Sequence, residues 1–346
     1  ELAQVAARQL EELPYYNTFF QSATPPVIEL SEMLAEVTPE GLDHVFFANS
    51  GSEANDTALK IAMAYHRARG EGHRTRFVTR ERGYHGVNIG GTSIGGMVKN
   101  RETFSGLMPS IVHMRHTWLE ENRFAKGQPE HGAHLADDLQ RAAETYGGAT
   151  IAACFVEPIA GSTGVLVPPV GYLERLREIC DAHGILLVFD EVICGFGRTG
   201  KAFAAQSFGV TPDIITMAKA LTNGAVPMAA VAVKDDIYDT VVNAAPDGAI
   251  EMFHGYTYSG HPVACAAGLA TLDIYEKENL FERAADLAPY FLDQVFSLQD
   301  LDVVTDIRGY GLLAGVDIAA GDAPGQRGTQ MQKDLFWSGL HIKFTA

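Results

Sequence analysis

Three runs near the middle of this chain are apolar almost throughout: Ile151-Ala-Ala-Cys-Phe-Val156, Ile185-Leu-Leu-Val-Phe189 and Ile214-Ile-Thr-Met217. A strand with one face in water alternates apolar and polar residues. A run without alternation is buried on both faces, the mark of a parallel sheet covered by helices. Strands are also expected at Asp43–Ala48, Arg76–Thr79 and Met228–Val233. Helical spacing fills Ser52–Arg69, with apolar Ala58, Ile61, Ala62 and Tyr65, and recurs over Tyr172–His183. A long helix is expected from Pro262, a residue suited to a first turn. The predicted fold class is therefore α/β, a large and mostly parallel sheet with helices on both faces.

After about Tyr275 the pattern changes. A helix over Leu280–Leu298, a strand near Leu301–Ile307, a strand over Leu312–Ile318, a helix near Thr329–Trp337 and a last strand from His341 predict a smaller α+β unit. Residues 319–328, rich in Gly and Pro, are expected to form a loop. The predicted division is a large α/β domain over 1–268 and a smaller α+β domain over 269–346. The chain opens inside an amphipathic helix and stops inside an apparent strand. Both ends are therefore expected to be incomplete, with earlier residues missing.

Charge and cysteine usage narrow the partners. A net charge of −17 without a basic stripe argues against nucleic acid and anionic membranes. No apolar run reaches the length of a membrane span. Cys154, Cys180, Cys194 and Cys265 form no Cys-x-x-Cys pair, as expected in a reducing cytoplasm.

The chemistry concentrates at strand ends. The run Ile185–Phe189 ends in Asp190, and Asp213-Ile-Ile-Thr-Met-Ala leads to Lys219. Ligands of open parallel sheets bind at strand C-termini. An acid and a lysine aimed into one crevice are what pyridoxal 5'-phosphate needs: the lysine as Schiff-base partner, the acid to keep the pyridine nitrogen protonated. Asn49-Ser50-Gly51-Ser52 sits between a strand and a helix, where free N–H groups form an anion site. The plain alternative is a helix cap by Ser50 or Ser52. In Gly83-Tyr84-His85-Gly86 a tyrosine between glycines can lie on an aromatic ligand, or simply pack at the surface. Glu157, ahead of Pro158, stands beside a cofactor oxygen or faces water. The loop His254-Gly-Tyr-Thr257 offers a hydroxyl and an N–H.

Two patterns point elsewhere. Gly195-Phe-Gly-Arg-Thr-Gly200 matches the dinucleotide fingerprint, the basis for a distant alternative, a nicotinamide-dependent dehydrogenase. However, no long helix follows it, Ala202 stands where a P-loop needs Ser or Thr, and Asp190 and Glu191 lie close by. The glycines are expected to wrap a loop around the strand end. His113/His116 and His131/His134 have ligand-like spacing but no cysteine or paired acid nearby. The acids near them, such as Glu130, are not paired in a ligand pattern, so the histidines are read as solvent-facing and no metal is expected.

Together these runs resemble the class III aminotransferases, pyridoxal-phosphate enzymes of fold type I. The resemblance spans Phe47-Ala-Asn-Ser-Gly-Ser-Glu-Ala-Asn55 through Asp190-Glu-Val192 and Lys219 to Thr257. Phe189–Gly200 and His254–Pro262 are most similar to the ω-amino acid:pyruvate group. The resemblance implies that Lys219 holds the cofactor covalently and Asp190 pairs with the ring nitrogen. Tyr84 and Val192 would sandwich the ring, with His85 beside it. Ser50, Gly51 and Ser52 would hold the phosphate, helped by Thr257 of a second subunit. Glu157 would support the site near the ring hydroxyl. Phe19, reaching across the dimer, Tyr84 and Ser162 would line the substrate pocket. Ile193 departs from the Gln common in the family. The family's N-terminal aromatic segment and its C-terminal carboxylate-binding arginine are not in this chain.

The expected activity is ping-pong transamination from an ω-amino acid or amine to pyruvate, by a cytoplasmic homodimer or tetramer of dimers. Rivals with the same cofactor set are a 2-oxoglutarate-dependent aminotransferase, an aminomutase and a decarboxylating transaminase.

Overall fold

The computed structural model describes residues 1–19, 21–104 and 107–345. Its main sheet has seven strands: β1 (His44–Ala48), β2 (Arg76–Arg80), β3 (Ile111–Met114), β4 (Ile151–Val156), β5 (Leu186–Asp190), β6 (Ile214–Met217) and β7 (Ala229–Val233). Their spatial order is β1-β7-β6-β5-β4-β2-β3. All neighbours are parallel except those of β7, which runs antiparallel to β1 and β6. The expected α/β class holds.

Alternate residues of the apolar runs enter two separate cores. Cys154, Val156, Leu187, Phe189, Ile215 and Met217 pack on one face. Ala153, Phe155, Leu186, Val188 and Ile214 pack on the other, against Ala54, Ala58, Ile61 and Ala62 of the helix Gly51–Ala68. Each face therefore demands apolar side chains, which removes the alternation.

A separate antiparallel pair, β8 (Val304–Tyr310) and β9 (Leu313–Ile318), lies with the helices Leu280–Phe296 and Gln326–Trp337. The expected strand at Leu301–Ile307 is displaced to Val304–Tyr310, so it takes in Arg308 and Gly309. Arg308 is buried there because it pairs with Asp306 and, at 2.8 Å, with Asp317. Residues 341–345 are not a strand, and Ala346 lies outside the described residues. The helix Pro262–Lys277 runs without interruption across residues 268 and 269.

The periodicity reading did not foresee β3 or the helices Pro25–Val37, Asp137–Tyr146 and Asp235–Asn243. The first histidine pair is corrected. His113 lies half-buried on β3 with Nε2 2.9 Å from the Gly95 carbonyl oxygen, and His116 is half-buried, while His131 and His134 are exposed. Among the described residues no helix is long and apolar enough to cross a membrane.

Candidate active site

The C-terminal ends of β1, β4, β5 and β6 and the turn after β2 open onto one cavity of about 300 Å³. Ser50, Gly51, Ser52, Tyr84, Glu157, Asp190, Val192 and Lys219 line it. Because β7 runs the opposite way, its N-terminal approach reaches the same edge, and Val226, Pro227 and Met228 complete the wall.

Asp190 is the last residue of β5 and is 3% exposed. Its Oδ2 accepts from Asn55 Nδ2 at 2.7 Å and meets His85 Nδ1 at 2.8 Å. Its Oδ1 accepts from Val192 N at 3.1 Å. His85 is thus a buried partner of Asp190 rather than part of the cavity wall. Strand alternation sends the next residue, Glu191, away from the cavity, where it accepts from Ala204 N and Ala205 N at 2.8 and 2.7 Å. Burial pushes the Glu191 carboxyl up to about 8.

Glu157 is also buried, which corrects the reading of a carboxylate in water. It accepts from Tyr84 N at 2.9 Å and from Gly161 N at 3.0 Å, so it ties the Tyr84 turn to the end of β4. Burial, with a smaller push from the charge of Asp190, raises its carboxyl above the usual range.

Lys219 starts a short 3₁₀ turn, Lys219–Thr222, at a left-handed φ of 46°. A non-glycine residue holds that conformation only when its surroundings impose it, as functional sites commonly do. The turn is clamped by Gly224 N donating to the Lys219 carbonyl at 2.9 Å and Tyr275 Oη donating to the Ala220 carbonyl at 2.7 Å. The side chain opens into the cavity. Partial burial pulls its amine below the ordinary lysine value, against the opposing charges of Asp190 and Glu157.

The helix Gly51–Ala68 begins at the cavity edge. Ser50 is its cap and accepts from Glu53 N at 3.3 Å, while Glu53 accepts from Asn49 N at 2.8 Å. This leaves the N–H groups of Gly51 and Ser52 as first-turn donors with no helical acceptor. The cap and the anion-site readings are therefore compatible. A Cβ on Gly51 would stand 3.1 Å from both Val192 methyls, so the glycine lets the helix start and the end of β5 meet.

Three expected residues lie outside the cavity of their own chain. Thr257 is exposed, its carbonyl accepting from Tyr15 Oη at 2.7 Å. Phe19 rests its ring on Gly255. Ser162 lines a different cavity with Gly164, Val316 and Lys343. The Gly195–Gly200 loop packs on Phe203, Phe281 and Ala285 and contributes nothing to the cavity, as expected of a wrapping loop.

Sequence reasoning missed Asn55, Thr222 and the Val226–Met228 wall. A signal for Asn55 was present: a polar residue on the Ala54–Ala58–Ala62 side of a helix otherwise filled with small apolar groups. The wall carried no signal, because it depends on the reversed direction of β7.

Residues 1–342 match the family described as aminotransferase class-III. The chain is 54% identical to an omega-aminotransferase of Caulobacter vibrioides, over 100% of this chain and 78% of the relative. It is 48% identical to the omega-amino acid–pyruvate aminotransferase of Pseudomonas putida, over 99% and 77% respectively. Among solved structures, an (S)-enantioselective omega-transaminase from Thermomicrobium roseum superposes with a TM-score of 0.92 at 38% identity, covering 99% of this chain and 78% of that one. The omega transaminase of Pseudomonas jessenii in complex with PMP gives 0.93 at 36%, covering 98% and 77%.

Proposed function

This chain belongs to the class III aminotransferase family, and we propose that it moves an amino group from an ω-amino acid or amine to pyruvate, using pyridoxal 5'-phosphate. One observation carries the reading of the site. A buried carboxylate (Asp190) and an amine of lowered basicity (Lys219) share a cavity whose edge is a helix N-terminus.

These residues fit the cofactor. The free N–H groups of Gly51 and Ser52 suit a phosphate. Val192 and Tyr84 offer apolar and aromatic walls for a flat ring. Asp190, already accepting three hydrogen bonds, suits a cationic ring nitrogen. When bound, pyridoxal 5'-phosphate supplies the electron sink that lets a proton leave the amine-bearing carbon. Asp190 would hold the proton on the ring nitrogen. Lys219 Nζ, which lines the same cavity, would take the proton from the donor carbon and deliver it to the cofactor. Glu157 fixes the backbone of Tyr84 and hence its ring.

Thr257 and Phe19 serve the site of a second copy in this reading. Exposed apolar residues support a homodimer: Val87 and Ile89 flank the Tyr84 turn, and Phe253 and Tyr258 flank Thr257. The four buried free thiols fit a cytoplasmic enzyme.

The test is borohydride reduction of the loaded protein with peptide mapping, followed by donor profiling. The label is expected on Lys219, and β-alanine or 1-phenylethylamine should react faster with pyruvate than with 2-oxoglutarate. A label elsewhere removes Lys219 from its role. A preference for 2-oxoglutarate with every donor refutes the acceptor.

A further inference from the structure

Asp190 has a cross-strand partner, Thr216 of β6, in the parallel ladder. Both face the helix Gly51–Ala68, and Asn55, in its second turn, sits over the pair. Both Asn55 amide protons are used and its oxygen has a donor. Nδ2 donates to Asp190 Oδ2 at 2.7 Å and to the His85 carbonyl at 2.9 Å, and Oδ1 accepts from Thr216 Oγ1 at 2.7 Å. Only one orientation satisfies these partners. Turned over, the amide oxygen would meet a carboxylate and a carbonyl, neither of which has a proton to give. The Asp190 carboxylate and the His85 carbonyl therefore fix which way the amide faces, and the Thr216 hydroxyl anchors its oxygen so that Nδ2 stays on the carboxylate.

The consequence falls on the two oxygens of Asp190. Oδ2 has two partners, Asn55 and His85, whereas Oδ1 has one, Val192 N at 3.1 Å. Oδ1 keeps the acceptor capacity that a ligand in the cavity can use. Packing does not require this arrangement. The helix face around Asn55 is already filled by Ala54, Ala58 and Ile61. Asn is a mediocre helix former, and a buried polar network is worth keeping only if every member is satisfied.

We propose that Asn55, held by Thr216, is a positioning residue that pins Asp190 Oδ2 and so presents Oδ1 to the ring nitrogen of pyridoxal 5'-phosphate. This rests on the cofactor reading above. Without Asn55 the carboxylate loses one of its fixed bonds and turns about its own axis, so its hold on the cationic ring weakens.

Asn55→Ala, Thr216→Val and the double variant test it. The readouts are the pyridoxal 5'-phosphate dissociation constant by equilibrium dialysis, the pH at which the bound cofactor's visible band titrates, and the melting temperature of the apoproteins as a fold control. Asn55→Ala should weaken binding on the order of 10- to 100-fold, as for loss of a hydrogen bond to a charged group. The band should titrate at higher pH, because a ring that gives up its positive charge no longer opposes protonation at the Lys219 nitrogen. Thr216→Val should move both readouts the same way by less. The double variant should match Asn55→Ala, since Thr216 acts only through Asn55. Folded variants with unchanged affinity and band overturn the proposal, and so do effects that add. If Asn55→Ala fails to fold, Thr216→Val decides alone, and wild-type behaviour in it overturns the proposal. A wild type that takes up no cofactor overturns both readings together, whereas normal uptake with insensitive variants overturns this one only.

Discussion

Gly86→Ala probes the closeness on which the site depends. Gly86 has φ +102°, and a Cβ built there would stand 2.7 Å from Ser52 Cα and closer still to Ser52 Oγ. Two penalties follow. An L-residue at that φ is strained by about 1–3 kcal/mol. The overlap is with the backbone at the start of the helix Gly51–Ala68, not with the end of a flexible side chain, so overpacking adds about 1–3 kcal/mol. The expected loss is about 2–6 kcal/mol. Relief requires the Tyr84 turn and Ser52 to separate, which moves the first-turn N–H groups away from the Asp190 side of the cavity. Gly209→Ala separates the two effects. Gly209 has φ +68° with nothing within 4 Å of the added atom, so only the conformational penalty of about 1–2 kcal/mol applies. Urea unfolding of the apoproteins at 25 °C measures the stabilities, and dialysis measures cofactor affinity. Gly86→Ala should be the less stable and bind at least about tenfold more weakly, one decade being about 1.4 kcal/mol. Equal losses in the two variants with unchanged affinity would refute the close approach.

Three further outcomes are expected. Asp190→Asn should keep a bound cofactor but lose most proton abstraction in a single turnover, since an amide cannot hold the ring nitrogen protonated; an unchanged rate removes Asp190 from the chemistry. Glu191 sets a pH dependence of stability. Its carboxyl ionises near 8 in the native state against 4.5 as a free group, so between those values the native protein holds a proton that the unfolded chain has released. Stability should therefore fall as pH rises through that window, and Glu191→Gln should reduce the slope in urea titrations; an identical slope counts against a protonated Glu191. Mixing Lys219→Ala subunits with Thr257→Ala subunits should restore part of the activity, because one site of the mixed dimer then has both groups intact. No recovery in a verified heterodimer argues against a shared site.

The local pattern was enough to establish the class of fold. Runs such as Ile151–Val156 carry no alternation because Cys154 and Phe155 face different cores, and that requirement is written in adjacent residues. The same holds for Asp190 and Lys219 at the ends of such runs, because a polar residue that closes an apolar strand is visible without knowing what lies beside it. The displaced β8 shows where local reading fails. Arg308 lies beyond the expected strand Leu301–Ile307, yet the strand continues through it because Asp306 and Asp317 neutralise it inside the strand pair.

Only the tertiary structure decided which of these groups meet. Asn55 lies 135 positions from Asp190 and 161 from Thr216, and their contact follows from the register of β5 against β6 and the seating of one helix across both. The direction of β7 brings Val226–Met228 to the cavity, and its pairing with both β1 and β6 sets that direction. The burial of Glu157, which changes it from a solvated acid into a brace for Tyr84, depends on the same long-range packing. Periodicity encodes the face a residue turns toward its own sheet or helix. It does not encode what stands opposite that face, because the opposing element is chosen by packing across the whole chain.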